Sequence, residues 1–350
     1  MNHTTVYFVF PGDLETPTGG YHYDRRLIAE LRNLGLEVHT VSLPEGFPFP
    51  DEQARQSSSR LMAALPDDAV VIVDGLAFGV LDDLAAAEAR RLRLIALCHH
   101  PLALESGLSD MQRQAFLVSE HRALDHARAI LVTSPNTRDL LVSTFSIPGD
   151  RICVALPGTD PVPMAPGDGD PVRLLTVASL IPRKAHDVLI DALAPLQALS
   201  WSARFVGSET LDPQWAQSLR ERVNRLQLAE RIRFTGPLND LQAEYRNADV
   251  FVLPSRFEGY GMVFAEALAA GLPVVAARAG AVPDVVPESA GLLVAADDAR
   301  ALSVAIARLL NDRELRLRLR QGARAAANSL PSWSDAAKLV AGKIREVQGQ

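Results

Sequence analysis

The chain has only three lysines, Lys184, Lys338 and Lys343, and only two cysteines, Cys98 and Cys153, among its 350 residues. Two cysteines without metal-type spacing argue against a zinc-stapled or disulfide-built domain. Both read as small core residues. No run of about 18 apolar residues occurs, so no membrane-spanning helix is expected. A formal net charge of −7 supplies no basic excess to attract nucleic acid or an anionic membrane. No strand is followed by G-x-G-x-x-G with a spaced acid, which disfavours a dinucleotide oxidoreductase. The one Asp-x-Asp that draws the eye, Asp168-Gly169-Asp170, lies in a proline-rich stretch rather than at a strand end, so no metal is expected. The opening MNHTTVYFVFPGD lacks a basic segment and reads as a first strand rather than a signal peptide, which makes the cytoplasm the expected location.

What is present suggests two domains, at about 100–200 residues each. Short apolar runs alternate with helical patterns. Val6–Phe10, Glu37–Leu43, Val70–Val73, Leu92–Cys98, Ile130–Thr133 and Ile152–Leu156 read as strands, and His22–Leu34 as a helix. After the Pro- and Gly-rich PVPMAPGDGDP (Pro161–Pro171) the alternation restarts with Arg173–Ala178, Ala203–Gly207, Ile232–Gly236, Val250–Leu253 and Pro273–Ala277. Helices are expected over His186–Leu199 and Trp215–Leu228, and from about Ala299 onward. Such alternation predicts parallel sheets with helices on both faces, an α/β class with two doubly wound domains. The expected division is 1–160, a linker over 161–171, 172–330, and a C-terminal helix in 331–350 that packs back on the first domain. In sheets of this type ligands bind outside the carboxyl ends of the strands, so the cleft between two domains is the expected site. Charge is uneven. Residues 1–165 hold thirteen arginines against twenty-one acids, whereas the remainder is nearly balanced. The second half is the less repulsive host for an anion.

The stretch RFEGYGMVFAEALAAGLPVVAA, Arg256–Ala277, carries the most specific signal. A strand ends, a turn with Gly259 and Gly261 follows, and a helix begins near Met262. Backbone N–H groups at such a helix start, with the positive end of its dipole, form an anion site suited to phosphate. Glu266 lies about 7–8 Å farther along the helix axis at 1.5 Å per residue, the offset from a diphosphate to its ribose. A carboxylate accepts two hydrogen bonds from a vicinal diol. Glu258, before the turn, would hold hydroxyls of the group that the diphosphate carries. The pair also admits a second reading as the two carboxylates of a retaining glycosidase, and each glutamate alone would be an ordinary solvated side chain.

This pattern resembles the E-x7-E signature of the family 4 retaining glycosyltransferases, which have the two-domain GT-B fold. TVASLIPRKAHDVLIDAL (Thr176–Leu193), NADVFVLPSRFEGYG, EALAAGLPVVA and GAVPDVV…GLLV follow in the family's order, and TPTGGYHYDRRLIAEL resembles its Gly-rich loop. The resemblance is densest over 172–300. It implies that Lys184 contacts the diphosphate. Ser179 stands where the family usually has an arginine, and Arg183 is the expected substitute. Gly19 and Gly20 would close over the diphosphate. Glu258, Gly259, Tyr260, Gly261, Met262 and Val263 would contact donor sugar and phosphate, and Glu266 the ribose. His99, with His100 adjacent, would lie near the sugar and acceptor, while strand ends near Gly207 and Leu238 would line the base site.

The implied activity is metal-independent transfer of a hexose from a nucleotide-diphosphate sugar to an acceptor hydroxyl, with retention. Reaction on one face would let the leaving phosphate take the acceptor's proton. His99, His100 and Glu258 are then the candidate catalytic residues, with His99 orienting or stabilising rather than attacking. Glu266, turned to the ribose, does not fit the glycosidase reading. No cofactor is implied. The partners are the donor and a hydroxyl acceptor, with no nucleic acid and no stable membrane insertion, although a lipid acceptor would require peripheral contact. The alternatives are a nucleotide-sugar epimerase or phosphorylase on the same fold, or a non-catalytic nucleotide-binding module. A phosphorylase would need a lysine for pyridoxal phosphate, and only Lys184 is near the expected site.

Overall fold

The computed structural model describes residues 4–238 and 240–349. The chain divides into two compact units. One runs to Gly158 and resumes at Pro331, and the other is Thr159–Leu330.

The first unit is built on strands β1 (Thr5–Pro11), β2 (Glu37–Leu43), β3 (Val70–Asp74), β4 (Arg93–Cys98), β5 (Ala129–Val132) and β6 (Ile152–Val154). All pairings are parallel, in the order β2-β1-β3-β4-β5-β6. Central β3 is buried along its whole length, which is why VVIV runs without polar alternation. The C-terminal helix Trp333–Gln348 belongs to this unit and packs on helix Gly19–Asn33. Its Trp333 meets the rings of His22 and Tyr23 at 5.9 and 5.6 Å.

The second unit holds β7 (Val172–Val177), β8 (Trp201–Val206), β9 (Ile232–Gly236), β10 (Val250–Leu253), β11 (Val274–Ala277) and β12 (Gly291–Val294), in the order β12-β11-β10-β7-β8-β9. The strand order reverses between β7 and β10, and in the first sheet at β1 and β3. In such sheets the carboxyl ends of the strands beside the reversal are the preferred ligand position.

Three local outcomes differ from the sequence pattern. The first helix starts at Gly19 rather than His22, because the Thr18 side chain caps it by accepting from the Tyr21 N–H. The helix expected to reach Leu199 ends at Leu193 in a 3₁₀ turn, Ala194–Leu196, because Pro195 cannot donate to the ladder. Edge strand β12, four residues long, was not foreseen as a strand. The proline-rich stretch lies along the second unit. The Ala165 N–H donates to the Ala270 carbonyl (3.0 Å), and the Gly169 N–H to Asp249 Oδ1 (3.0 Å).

Among the described residues no helix is long and apolar enough to cross a membrane. Cys98 and Cys153 are both free thiols, the first buried and the second half-buried.

Candidate active site

In the second unit the loops after β7 and β10 bring two predicted residues together. Lys184 closes a single 3₁₀ turn, Pro182–Lys184. Its Nζ donates to both oxygens of Glu258, at 2.7 and 2.9 Å, across 74 positions of sequence. Arg183 lies behind it, 3.7 Å from Glu258 Oε2, and also donates to the Phe257 carbonyl at 3.1 Å. Ser255 Oγ donates to Glu258 Oε1 at 2.6 Å. Glu258 is only 5% exposed. Burial alone would raise its pKa, but Lys184 and Arg183, with the hydrogen bonds from Lys184 and Ser255, hold the carboxyl below the usual range.

Arg256 locks the two loops. Its guanidinium bonds Asp187 Oδ2 at 2.8 Å and the Pro182 carbonyl, while its own N–H donates to the Arg183 carbonyl at 2.8 Å. The basic pair is thereby tied to the β10 loop by a residue with half-buried partners of its own.

The turn before the helix contains Gly259, Tyr260 and Gly261. Gly261 has φ +90, and a Cβ there would approach the Phe264 ring to 2.6 Å. Only glycine fits both conditions. Helix Met262–Ala269 follows with no side-chain cap, so Met262 and Val263 head an N-terminus whose polarity favours an anion. One turn on, Glu266 Oε2 accepts from the Tyr245 hydroxyl at 2.7 Å. Burial raises the Glu266 pKa, the Tyr245 hydrogen bond opposes that rise, and Asp160 adds to it. Tyr245 is itself fully buried, and burial together with Glu266 pushes its phenol up.

The two positions suggested for a base differ in kind. A Cβ on Gly207 would lie 1.9 Å from the Ala178 carbonyl oxygen, so close approach of neighbouring backbones already accounts for that glycine. Leu238 stands 37% exposed beyond β9.

The first unit brings together residues that the sequence reading did not join. His99 follows β4, Asp74 ends β3, and Asp24 lies on the buried side of helix Gly19–Asn33. His99 Nε2 is 2.9 Å from Asp24 Oδ1 and 3.5 Å from Asp74 Oδ2. Asp24 is 0% exposed and Asp74 2%. Among the described residues these three also form a metal-compatible cluster, with ligand atoms within 4.8 Å of one another. Gly20 packs on the same ring, where its Cβ would be 3.3 Å from His99 Cδ2, while Gly19 precedes it at the start of the helix. His100 turns elsewhere, with Nε2 3.8 Å from Glu105 Oε2.

Asp24, Asp74, Tyr245, Ser255 and Arg256 were missed as site residues. Asp24 left a trace, since it falls on the same helical stripe as Leu27, Ile28 and Leu31, where an acid is out of place. Asp74 closes an otherwise apolar strand. Tyr245 and Ser255 gave no comparable signal.

The chain is similar to known proteins in sequence and fold. The family model described as "Glycosyl transferase 4-like domain" matches residues 18–158, and "Glycosyl transferases group 1" matches 171–312. A D-inositol 3-phosphate glycosyltransferase of Corynebacterium glutamicum is 31% identical over 70% of this chain and 64% of its own length. Its Corynebacterium efficiens counterpart is 32% identical over 64% of this chain and 57% of its own length. The chain thus spans less than two thirds of these curated relatives. Among solved structures, sucrose-phosphate synthase of Thermosynechococcus elongatus superposes with TM-score 0.81 at 21% identity, over 98% of this chain and 99% of that one. Anabaena HepE, solved with UDP-glucose, gives TM-score 0.78 at 19% identity, over 97 and 99%. The two sheets are those of the GT-B fold, and the chain belongs to the family 4 glycosyltransferases.

Proposed function

We propose that the chain transfers a hexose from a nucleotide-diphosphate sugar to an acceptor hydroxyl with retention at the anomeric carbon. The observation that carries this reading is the Lys184–Glu258 pair with Arg183, beside the uncapped helix that starts at Met262, where the strand order reverses. Supporting it are the named activities of the family relatives and the UDP-glucose held by HepE.

In this reading the first unit takes the acceptor and the second the nucleotide sugar. Lys184, Arg183 and the backbone at Gly261, Met262 and Val263 receive the diphosphate. These groups stabilise the charge that develops as the glycosidic bond to phosphate breaks. No divalent ion is needed for that task. Glu258, with Gly259, Tyr260 and Gly261, holds the sugar hydroxyls. Glu266 accepts from the ribose diol, and Tyr245 keeps its carboxylate oriented. The base lies near Gly207 and Leu238. The acceptor oxygen attacks the face that the phosphate leaves, and the departing phosphate oxygen takes its proton. His99, with His100 beside it, orients the sugar or stabilises charge. Such a protein works in the cytoplasm, meeting a membrane peripherally if its acceptor is a lipid.

The test is a thermal-shift screen with UDP, GDP, ADP and TDP and their sugars, followed by mass-spectrometric detection of the glycosylated acceptor with the donor that binds. A ligand at about 100 times its Kd stabilises by about 2.7 kcal/mol. One nucleotide series should raise the melting point, and turnover should persist in EDTA. Binding without turnover would favour the non-catalytic module, and a strict metal requirement would overturn the metal-independent mechanism.

A further inference from the structure

Two carboxylates buried side by side are costly unless something offsets their charge. In the first unit Asp24 and Asp74 are such a pair, and the group between them is His99. A neutral imidazole protonated only at Nδ1 would point its Nε2 lone pair at both acids. With the acids ionised, this geometry places the proton on Nε2, donated to Asp24 Oδ1 at 2.9 Å with Asp74 Oδ2 at 3.5 Å. Asp74 is anchored in turn, since its Oδ1 accepts from the Leu76 N–H at 2.8 Å. Gly20 against Cδ2 and the Tyr23 ring, edge-on at 5.2 Å, fix the imidazole plane. Nδ1 has no hydrogen-bond partner among the described residues, and 21% of the side chain is exposed.

We propose that Asp24 and Asp74 are positioning residues that hold His99 as an imidazolium through Nε2–H and leave Nδ1–H to donate to an oxygen of the bound substrate. This rests on the glycosyl-transfer reading for the identity of that oxygen, but not for the state of the ring. A histidine held this way is a hydrogen-bond donor and not a base, so the acceptor's proton must go elsewhere, as the same-face reaction requires. The electrostatics agree. Burial opposes charge on His99, but the attraction and hydrogen bond of Asp24, with Asp74 added, push its pKa up to about 10. Asp24 rises to about 7, mainly through burial, with His99 opposing and Asp74 adding. The other titratable groups around the cluster are Tyr21 and Tyr23, on the helix of Asp24, and Cys98, the preceding residue. Burial raises the pKa of all three and keeps them neutral. Glu120, which acts on Cys98 from helix Asp110–Asp125, is pushed up to about 8, mainly by burial.

The test is ring-nitrogen NMR of the full chain, labelled in histidine and without nucleotide, from pH 6 to about 9. His99 should keep the imidazolium pattern to at least about pH 8.5. Asp24→Asn should lower its midpoint by more than about one unit, and Asp74→Asn by less. A neutral His99 in the wild type at pH 7, or an unmoved midpoint in both variants, overturns the proposal. So does a stoichiometric shift of the His99 signals on adding Zn²⁺ alone, which would make the cluster a metal site. With the donor found by the nucleotide screen, Asp24→Asn should lose roughly tenfold more kcat at pH 8.5 than at pH 6, relative to wild type, with donor KM changed less than about threefold. An equal loss at both pH values would mark a purely structural role and overturn the proposal. If Asp24→Asn does not fold, the wild-type titration and Asp24→Glu decide. If no donor is ever turned over, the functional reading fails and the ring titration still decides this one.

Discussion

Two histidines, one half-buried and one fully buried, behave in opposite ways. His99, in the first unit, is gripped by two carboxylates, and its pKa is pushed up to about 10. His186, in the second, sits at the start of helix His186–Leu193 with its ring edge-on to Phe205 and neither ring nitrogen hydrogen-bonded. Burial, with Lys184 adding, lowers its pKa to about 4. The clusters around them differ in the same sense. Glu258 is one acid among cations, whereas His99 is one cation among acids. Both occupy the carboxyl ends of strands where the order reverses, so topology does not set the sign. Partner charge does, and a basic cluster suits a diphosphate as an acidic one does not.

The sharpest way to break this contrast is Lys184→Ala. Turnover should fall by about a hundredfold or more. Stability should also fall, toward about 3 kcal/mol, because a buried carboxylate loses its main partner while Arg183 and Ser255 remain. Adding Glu258→Gln should recover part of that stability in denaturant melts. Full activity in Lys184→Ala would remove the diphosphate assignment.

Glu266→Ala should weaken nucleotide binding by about 1.5–3 kcal/mol, the range for hydrogen bonds to a charged group. Tyr245→Phe should cost less, about 0.5–1.5 kcal/mol, since it loosens Glu266 without removing it. Calorimetric titration reads both, and unchanged affinity in Glu266→Ala would sink the ribose role.

A pH-dependent effect, confined to acid, comes from His186. Its folded pKa of about 4 lies below the ordinary 6.5, so the unfolded chain takes up a proton first as pH falls. The His186 contribution to stability is whole above pH 6.5 and is lost between there and about 4. About 2 kcal/mol should disappear by pH 5 at 1.4 kcal/mol per unit. His186→Phe, which keeps the ring contact with Phe205, should flatten the pH dependence of the melting point over that window. An unchanged slope would mean that His186 is not held neutral.

Most strands could be read from apolar runs, because a central parallel strand is buried on both faces and its composition says so. β12 escaped because Gly291–Val294 is four residues at a sheet edge, too short to show a period. The turn and helix around Gly261 were legible for a local reason: glycine at a left-handed position, then an apolar helix, within a dozen residues. The His99 cluster was not, because Asp24 and Asp74 come from other elements. Only the misplaced acid on the Leu27–Leu31 stripe hinted that something buried must neutralise it.

By itself the sequence determined what neighbouring residues decide: the alternation of strand and helix, and the glycine turn before the helix that starts at Met262. The tertiary structure decided which charges neutralise one another. Lys184 reaches Glu258 across 74 positions, and His99 reaches Asp24 across 75. Backbone preference acts over a few residues, whereas ionisation depends on burial and on whatever charge the fold brings within about 4 Å. The protonation state of His99 is therefore a property of the assembled sheet and appears in no single stretch of the chain.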